Sequence, residues 1–539
     1  MVEVFARIAK KYSGKINTGN FRYYISFLIP NEMRNLFINT MNKLLYSLIF
    51  FLAVSVLSCR DYDNFSTSPN DTLAFSVDTL SFDTLFANNQ FPIGSTTKNF
   101  KIYNRHEKPL LISSVRFQYG DRGFRMNIPP ENRDENGNFI NVRINPQDSL
   151  HVFVEATLRE NSTNTPQLQE DVIIFTTNGV QQKVFLEAFG QDVFVWRNKI
   201  FDESTTLSNE KPYLVFDSIV VNKGVTLKIQ EGTTFFMRNN SWFKVEGNIK
   251  AKGTLQRPIV FRGHRTDNLF ENLPYDRLPG QWDGIWFATS SYNNEFEYVN
   301  IRNGLAAMVF ELSENSDLLK LKLKNSVLTN MSDHILSAEN CNIVVENSEL
   351  SNAAEALLYL IGGKYSFTHC TFANYLTSIN NISSSGQTVA IFNYTLDKDN
   401  NRKPLPVAAD FFNSIIYSSN TTAGEFLLYT DSDNSGTPIN YKFQNCLLLK
   451  KDTLNIDKMN FIDCIFNKEP KFVKSTAWNA EKTDYDFIYD FRLDSISPAR
   501  SKADVTIAKK LPYDLNNISR FDDEGPDIGA YQWTNTETK

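Results

Sequence analysis

Three eight-residue stretches in the second half of the chain share one pattern: LKLKNSVL at 321–328, IVVENSEL at 343–350 and YSFTHCTF at 365–372. Each has apolar residues at alternate positions, followed by a polar residue, a small residue and a further apolar residue. The alternation has the period of a β-strand, whose successive side chains point to opposite faces of a sheet. Four later stretches repeat the pattern: VAIFNYTL at 389–396, ADFFNSII at 409–416, YKFQNCLL at 441–448 and MNFIDCIF at 459–466.

The polar position of this unit recurs every 18 to 32 residues and is mostly asparagine. The residues at this position are Asn325, Asn347, His369, Asn393, Asn413, Asn445 and Asp463. A unit of this length cannot bury its own inner face, whereas stacked units bury a continuous core. The repeat therefore predicts a parallel β-solenoid, in which equivalent strands pair from coil to coil and these polar side chains form a structural ladder.

Stretches on both sides of the repeat resemble right-handed parallel β-helix proteins of the pectin-lyase-like group. The resemblance rests on GVTLKIQEG at 224–232, WFKVEGNIKAKG at 242–253 and WDGIWF at 282–287, and on DIGAYQW at 527–533 near the end. It implies a right-handed parallel β-helix over 195–496. It also implies a C-terminal cap and tail over 497–539, with the cap covering the last coil.

Residues 73–192 contain short alternating strands, such as FKIY at 100–103 and VIIFT at 172–176, separated by turn signals. Several short strands with regular turns are typical of a β-sandwich. The stretches NPQDS at 145–149 and FGQ at 189–191 resemble the Hydin-type Ig-like family, which implies an Ig-like fold and no activity. The predicted fold class is therefore all-β, with an N-terminal Ig-like β-sandwich followed by a right-handed parallel β-helix.

The N-terminal region contains the features of a bacterial signal peptide. MNKLLYSLIFFLAVSVLSC at 41–59 has one lysine and then a 14-residue apolar run, too short to span a membrane as a helix. Its last four residues resemble a lipobox, which implies lipidation of Cys59. An uncleaved membrane anchor with an incidental cysteine is the alternative. We expect translation to start at Met41, so that 1–58 is an upstream extension plus signal peptide and 59–72 is a tether.

The lipid anchor would place the protein in the cell envelope, as an outer membrane lipoprotein of a Gram-negative bacterium. Asp61 and Asp63 resemble the surface-export signal of some such lipoproteins, and ordinary linker polarity explains them equally well. The net charge of −6 argues against nucleic acid as a partner. The expected partners are the membrane, through the lipid, and a polysaccharide; a protein partner stays open.

The densest mixture of acidic, basic and aromatic side chains in the β-helix region is His264, Arg265, Trp282, Asp283 and Trp286. Tryptophan rings can stack on sugar rings while Asp and Arg side chains hydrogen-bond to hydroxyl groups. The competing explanation is that both tryptophans pack inside the early coils. These five residues are the candidate glycan contacts.

Two Asp-rich stretches resemble half of a calcium-binding loop: DKDNN at 397–401 and DSDNSG at 431–436. Alternating carboxylates, Asp397 with Asp399 and Asp431 with Asp433, can converge on a hard cation. Neither stretch has the glutamate that completes such a loop, so polar insertion loops are the alternative. We expect no cofactor, and calcium is the one candidate that the sequence offers.

Cys446 and Cys464 occupy one column of small residues on coils that we expect to be adjacent. Such a pair can form a disulfide in an oxidising compartment. Free thiols, packed as small apolar side chains, are the alternative that we favour.

The leading functional hypothesis is a glycan-binding or surface-interaction face on the β-helix, without catalysis. Tyr359, Tyr375 and Tyr417 are candidate outward aromatics for such a face. A polysaccharide lyase or glycoside hydrolase of the pectin-lyase-like fold is the first alternative, and it requires clustered carboxylates or Arg and Lys on consecutive coils. We identify no catalytic residue. A structural envelope component is the second alternative.

Overall fold

The computed structural model describes residues 64–535, except 91–92, 94, 121, 130–131, 271–272, 378–387, 421–425, 431–435, 452–457, 480 and 483. Met41, Cys59, Asp61 and Asp63 therefore lie outside the described residues, and the predicted signal peptide and lipidation stay predictions. Nearly all regular structure in the described part is β. A search of the same residues finds no helix with the length and apolar character needed to cross a membrane.

The first nine strands form two sheets that enclose one core. They are β1 (Ala74–Phe75), β2 (Thr79–Ala87), β3 (Thr96–Tyr103), β4 (Leu110–Phe117), β5 (Phe124–Asn127), β6 (Phe139–Ile144), β7 (Ser149–Ala156), β8 (Gln167–Thr177) and β9 (Val180–Asp192). The sheet orders are β1-β3-β7-β5 and β2-β9-β8-β4-β6. Phe82, Ile102, Val154 and Phe175 are among the fully buried residues of the shared core. The Ig-like family of this unit stays a prediction.

The strands that follow belong to the solenoid, apart from two short hairpins, β18–β19 and β33–β34. They are β10 (Phe194–Phe201), β11 (Thr205–Leu207), β12 (Tyr213–Val221), β13 (Thr226–Ile229), β14 (Thr234–Met237), β15 (Trp242–Val245), β16 (Asn248–Lys252), β17 (Ile259–Gly263), β18 (Asn268–Phe270), β19 (Leu273–Pro274), β20 (Gly284–Phe287), β21 (Asn294–Glu297), β22 (Val299–Arg302), β23 (Met308–Phe310), β24 (Leu319–Lys324), β25 (Val327–Met331), β26 (Leu336–Glu339), β27 (Asn342–Glu346), β28 (Glu349–Ala353), β29 (Leu358–Ile361), β30 (Gly363–Thr368), β31 (Thr371–Asn374), β32 (Val389–Phe392), β33 (Tyr394–Leu396), β34 (Arg402–Pro404), β35 (Val407–Phe412), β36 (Ile415–Ser418), β37 (Phe426–Tyr429), β38 (Ile439–Gln444), β39 (Leu447–Leu448), β40 (Phe461–Ile462) and β41 (Ile465–Phe466). A 3₁₀ turn covers Tyr275–Arg277. After the last coil come β42 (Phe472–Lys474), β43 (Asp490–Leu493) and one short helix, α1 (Val505–Ala508).

Each regular coil has three strands, and each strand pairs in parallel with its equivalent in the next coil. Face A is the ladder β11-β13-β16-β21-β24-β27-β30-β35-β38-β40. Face B is β14-β17-β22-β25-β28-β31-β36-β39-β41, and face C is β15-β20-β23-β26-β29-β32-β37. The long strands β10 and β12 span faces B and C. This architecture confirms the all-β parallel β-helix; its right-handedness stays a prediction of the resemblance.

The solenoid core consists of in-register apolar columns, as the repeat predicts. On face A, one column runs through Leu323, Val345, Phe367, Phe411, Phe443 and Phe461. Ring centroids are 4.7 Å apart from Phe367 to Phe411 and 4.7 Å from Phe411 to Phe443. Burying one such side chain stabilises the fold by roughly 1.5–3 kcal/mol. The interior is therefore held by stacked side chains as well as by the parallel hydrogen bonds.

One of the seven repeat units is assigned wrongly by the sequence. Residues 389–392 of this stretch form β32 on face C, where Ile391 pairs with Leu360 and Leu428 and not with the face A column. Asn393 is consequently not a member of the ladder, and its amide donates to the Thr437 carbonyl at 3.1 Å. The error arises because strands on faces A and C alternate with the same period. The coil from His369 to Asn413 is longer than its neighbours because it includes residues 378–387 and the β33–β34 hairpin.

The other six ladder residues share one backbone conformation at the corner between faces A and B. Asn325, Asn347, His369, Asn413, Asn445 and Asp463 all have φ between 48° and 51°. Asn, Asp and His are the non-glycine residues most often found there, which explains the composition of the column. Two side-chain bonds link neighbours: Asn347 to Asn325 at 2.8 Å and Asn413 to His369 at 3.0 Å. Asn445 instead donates to the Lys502 carbonyl at 3.0 Å, so the column is only partly a hydrogen-bonded ladder.

The C-terminal residues lie along the outside of face B, and the predicted cap over the last coil stays a prediction. Arg520 donates to Asn347 at 2.7 Å, and the Asp504 amide donates to Asn413 at 2.7 Å. The Gly529 amide donates to the Asn413 carbonyl at 2.8 Å. Because this segment covers them, strands β28, β31 and β36 are buried on both faces. The last coil strand ends at Phe466, before the predicted boundary at 496.

Candidate functional sites

The five candidate glycan contacts do not form one site. Trp282 is 1% exposed in the solenoid core, and its indole nitrogen donates to the Arg302 carbonyl at 2.9 Å. Packing is therefore the correct explanation for Trp282. Trp286 lies on β20 with its side chain on the outer side of face C, half-buried. Asp283 directly precedes β20 and is also half-buried, and burial raises the pKa of its carboxyl group.

His264 and Arg265 belong to a different place, a cavity of about 270 Å³ between the β-sandwich and the first coils. The Arg265 guanidinium stacks over the Tyr275 ring at 3.7 Å and pairs with Asp267. Burial and the nearby charges of Arg238 and Arg265 lower the pKa of His264 to about 4. The imidazole is therefore neutral at physiological pH.

An aromatic cluster lies on the outer side of face C, and we define it as Tyr359, Phe392, Tyr394 and Tyr429. The Phe392 and Tyr429 rings are parallel within 5° with centroids 4.3 Å apart. Tyr359 lies 4.9 Å from Phe392, and Tyr394 lies 5.9 Å from it. All four side chains are half-buried, so part of each ring faces solvent.

The strand register fixes the positions of these rings. Phe392 and Tyr429 are direct partners on β32 and β37. Tyr359 belongs to a neighbouring row of outward residues, which successive strand pairings trace back through Ser337 and Val309 to Trp286. Burial and the neighbouring tyrosines raise the pKa of Tyr359, and burial raises that of Tyr429. Their hydroxyl groups therefore stay protonated at neutral pH and can donate and accept hydrogen bonds.

The sequence identified one member of the cluster and missed three. Tyr359 was a predicted outward aromatic, and it is outward. Phe392 and Tyr394 lie in stretch 389–396, which was placed on the wrong face, and Tyr429 lies on β37, between two of the repeat stretches. The alternation of Val389 and Ile391 inward with Phe392 outward carries the signal that could have located the cluster.

Tyr375 and Tyr417 were wrong as outward candidates. They are 5% and 7% exposed, because the C-terminal region packs over face B. Tyr375 contacts Phe472 and Phe491 of the β42–β43 hairpin at 5.8 and 5.6 Å. Both tyrosines therefore belong to a second apolar core outside the solenoid.

The outer side of face A carries alternating charges. Lys250 pairs with Glu295 at 2.8 Å, and Lys324 approaches Glu297 at 4.0 Å. The hydrogen bond from Lys250 lowers the pKa of Glu295. Exposed pairs of this kind contribute roughly 0–1 kcal/mol each. We interpret face A as a solvated surface.

A cavity of about 250 Å³ lies outside face B, between the 3₁₀ turn and the C-terminal region. Asp276 pairs there with Arg302 at 2.9 Å and with Arg262 at 3.1 Å. Glu349 accepts hydrogen bonds from Ser351 at 2.6 Å and from the Tyr531 hydroxyl. Burial raises the pKa of Glu349, so its carboxyl group differs in environment from that of Asp276.

The first of the two predicted calcium loops forms a hydrogen-bonded turn, and calcium binding stays a prediction. The Asp397 carboxylate accepts backbone N–H bonds from Asp399 and Asn401, both at 2.9 Å, within the turn between β33 and β34. That turn explains the spacing of Asp397 and Asp399 without a cation. Asp431 and Asp433 lie outside the described residues. Within the described part of the chain, no group of three His, Cys, Asp or Glu side chains converges as a metal site would require.

Cys446 and Cys464 are thiols on adjacent coils, each two residues after the paired ends of β38 and β40. Each sulfur donates to a neighbouring carbonyl: Cys446 to Phe411 and Cys464 to Phe443, both at 3.4 Å. Burial, together with the contact with Cys464, raises the pKa of Cys446 well above its usual range. Cys446 is therefore an unreactive thiol in this state.

Comparisons with known proteins give no family. No protein-family model matches the sequence, and no curated protein matches it. Among solved structures, a PapD-like domain of human CEP192 has 13% identity and a TM-score of 0.16, covering 25% of this chain and 95% of that one. The Escherichia coli chaperone DraB has 14% identity and a TM-score of 0.16, covering 22% and 55%. The Vibrio cholerae VesB protease has 13% identity and a TM-score of 0.15, covering 23% and 33%. The chain thus spans about a third of VesB and about half of DraB, and such TM-scores support no conclusion about fold or function.

Proposed function

We propose that this protein is a lipid-anchored envelope protein whose β-helix binds a glycan through the aromatic cluster on face C. The observation that supports the proposal is the group of four neighbouring rings on an outward surface, with Phe392 and Tyr429 stacked at 4.3 Å. Contiguous apolar groups exposed on a protein surface commonly mark interaction sites. The cluster combines such a surface with three hydroxyl groups.

The chemistry of the cluster suits a sugar polymer. Aromatic ring faces pack against the C–H faces of pyranose rings, and tyrosine hydroxyls reach the sugar hydroxyls at the edge of the contact. Tyrosine supplies this area with few rotatable bonds, so little conformational entropy is lost on binding. Because the rings of β32 and β37 lie on consecutive paired strands, the scaffold holds them in place before a ligand arrives.

The predicted lipobox supports the envelope location in this proposal. A lipid on Cys59 would tether the chain, and the β-sandwich would stand between the membrane and the β-helix. An extended solenoid surface then faces outward along its length, as other solenoid binding surfaces do.

The test compares variants for binding to a panel of neutral and acidic polysaccharides in affinity gels. We expect wild-type migration to be retarded by at least one polymer, and the double variant Tyr359→Ala/Tyr429→Ala to bind at least tenfold more weakly. Tyr485→Ala is the matched control, because Tyr485 is an exposed tyrosine of the C-terminal region and not of face C. Its ring stacks on Trp478, with the ring centroids 4.0 Å apart. Equal retardation of the double variant and wild type would refute the role of the cluster.

The enzyme alternative has one location in the described structure, the cavity that contains Asp276 and Glu349. A carboxyl group with a raised pKa and an ion-paired carboxylate that line one cavity have the kind of environment difference that glycoside hydrolases use. Against this, Tyr531 and Ser351 already bind both oxygens of Glu349, which suits an anchor for the C-terminal segment.

Polymer length settles the choice. Incubation of the polysaccharide panel with wild type, followed by size-exclusion chromatography, would show shortening if the protein is a lyase or a hydrolase. Shortening that disappears in Glu349→Gln would locate the reaction in this cavity. Neither shortening nor retardation of any polymer would favour the structural envelope component.

A further inference from the structure

The cavity between the β-sandwich and the solenoid has charged walls from both units. The β-sandwich contributes Asp83 and Lys98, and the solenoid contributes Arg238, His264 and Arg265. The two units are in direct contact around it: the Thr266 hydroxyl donates to the Thr84 carbonyl at 3.1 Å, and the Phe86 and Phe236 rings lie 4.8 Å apart. A group bound in this cavity would therefore contact both units.

Two of the cationic side chains at this cavity are already neutralised. Lys98 pairs with Asp83 at 3.4 Å, and Arg265 pairs with Asp267 through two hydrogen bonds. Neither cation needs a further partner for its charge, so the group that lacks one is Arg238.

Arg238 has no acidic partner among the described residues. Its guanidinium lies over the Phe216 ring at 4.6 Å, and the Arg197 guanidinium lies over the same ring at 3.7 Å. Partial burial and the charge of Arg197 both lower the pKa of Arg238. A half-buried cation beside a second cation is unfavourable unless an anion compensates it.

His264 is the second group without a partner. Its Nδ1 atom is buried and has no hydrogen-bond partner in the described structure. Buried polar atoms are nearly always hydrogen-bonded, and an unsatisfied one destabilises the fold. The neutral imidazole can donate from Nδ1, and His264 lines the same cavity as Arg238.

We propose that this cavity binds an oxyanion, held by Arg238 and His264, that bridges the β-sandwich and the first coils. A carboxylate, sulfate or phosphate group provides two or three acceptor oxygens, which match a guanidinium fork and an imidazole N–H. The volume of about 270 Å³ admits either a free inorganic anion or the acid group of one sugar residue. This site is separate from the aromatic cluster and does not depend on the proposed glycan face.

The experiment is isothermal titration calorimetry on the purified full-length protein at constant ionic strength. The probes are sodium sulfate, galacturonate as a sugar acid, and galactose as its neutral counterpart. We expect saturable binding of sulfate or galacturonate and none of galactose. Tighter binding of sulfate would identify the ligand as an inorganic anion, and tighter binding of galacturonate would identify it as a sugar acid.

Variants locate the binding. Arg238→Gln and His264→Phe should each weaken anion binding at least tenfold. Arg257→Gln should leave it unchanged, because Arg257 is exposed on the solenoid, pairs with Glu231 at 2.7 Å and lies outside the cavity. Circular dichroism checks the fold of each variant, and His264→Phe decides if Arg238→Gln does not fold. Wild type that binds neither anion, or an Arg238→Gln protein that binds as tightly as wild type, would overturn the proposal.

Discussion

Replacing Arg520 by methionine should release the C-terminal segment from face B. Arg520 is fully buried, and its Nη2 donates to Asn347 at 2.7 Å and to the carbonyls of Gly529 and Ala530 at 3.2 and 3.3 Å. Methionine has a similar length but supplies none of these donors. The side chain therefore joins the ladder residue Asn347 to the segment and also ties the segment to itself, beside the separate links that Asn413 makes.

The expected loss follows from the charges that remain. The carboxylates of Asp514 and Asp527 stabilise the Arg520 cation and would lose it in the variant. Burial raises the pKa of Asp527 to about 6 even with the arginine present. Removing one member of a buried charged network typically costs about 3–5 kcal/mol. We expect the free energy of opening this segment to fall by that amount, while the coil core keeps its protection.

Hydrogen exchange measured by mass spectrometry tests this directly. Peptides from 497–535 should exchange roughly a hundredfold faster or more in Arg520→Met, since every 1.4 kcal/mol is about a factor of ten. Peptides covering the strands of face A should exchange at the same rate in the variant and in wild type. Lys509→Met is the control, because Lys509 is an exposed cation of the same segment and surface changes are usually within about 0.5 kcal/mol. Unchanged exchange in 497–535 would refute the assigned role of Arg520.

Three further predictions concern other parts of the chain. His369 has a pKa well below its ordinary value because it is buried, so the unfolded state binds more protons and stability should fall as pH drops below about 6.5. His369→Asn should reduce that acid sensitivity in thermal melts. A pH profile of the melting temperature that is the same in variant and wild type would contradict the prediction. Cys446 should react with a thiol reagent only after the protein is unfolded without reductant, because its thiol is buried and the pKa of that thiol is raised; a protein mass lower by two hydrogens would instead reveal a disulfide with Cys464. Cys59→Ala should move the protein from the membrane fraction to the soluble fraction. Retention of the variant in the membrane fraction would indicate a spanning anchor.

The solenoid could be predicted from sequence because its main signal is local. Alternation within each stretch and the recurrence of asparagine at the A–B corner both follow from the backbone of a single coil. Asn325 and Asn347 needed no knowledge of distant residues, since a φ near 50° favours asparagine wherever it occurs. His369 and Asp463 were assigned to the same column for the same reason, and their φ values of 51° and 50° agree.

The failures have a different origin. Asn393 was misplaced because a strand on face C has the same period as a strand on face A, so only the pairing register separates the two. Tyr375 and Tyr417 have the outward alternation of exposed residues, and nothing near them in sequence shows that the β42–β43 hairpin covers them. The cavity with Arg238 and His264 also could not be predicted from the sequence, because its walls come from both the β-sandwich and the first coils.

The position of the C-terminal segment has a consequence for the order in which the protein forms during synthesis. Arg520 contacts Asn347 across 173 residues, and Tyr531 contacts Glu349 across 182. Coils can stack on one another as they emerge, since each needs only its neighbour. The outer side of β28, β31 and β36 nevertheless stays uncovered until the β42–β43 hairpin and the segment that contains Arg520 and Tyr531 have been synthesised. A nascent chain of this protein therefore exposes the apolar side chains of Ala373, Ile415 and Tyr417 during synthesis, and a premature stop before the β42–β43 hairpin would leave them open for aggregation.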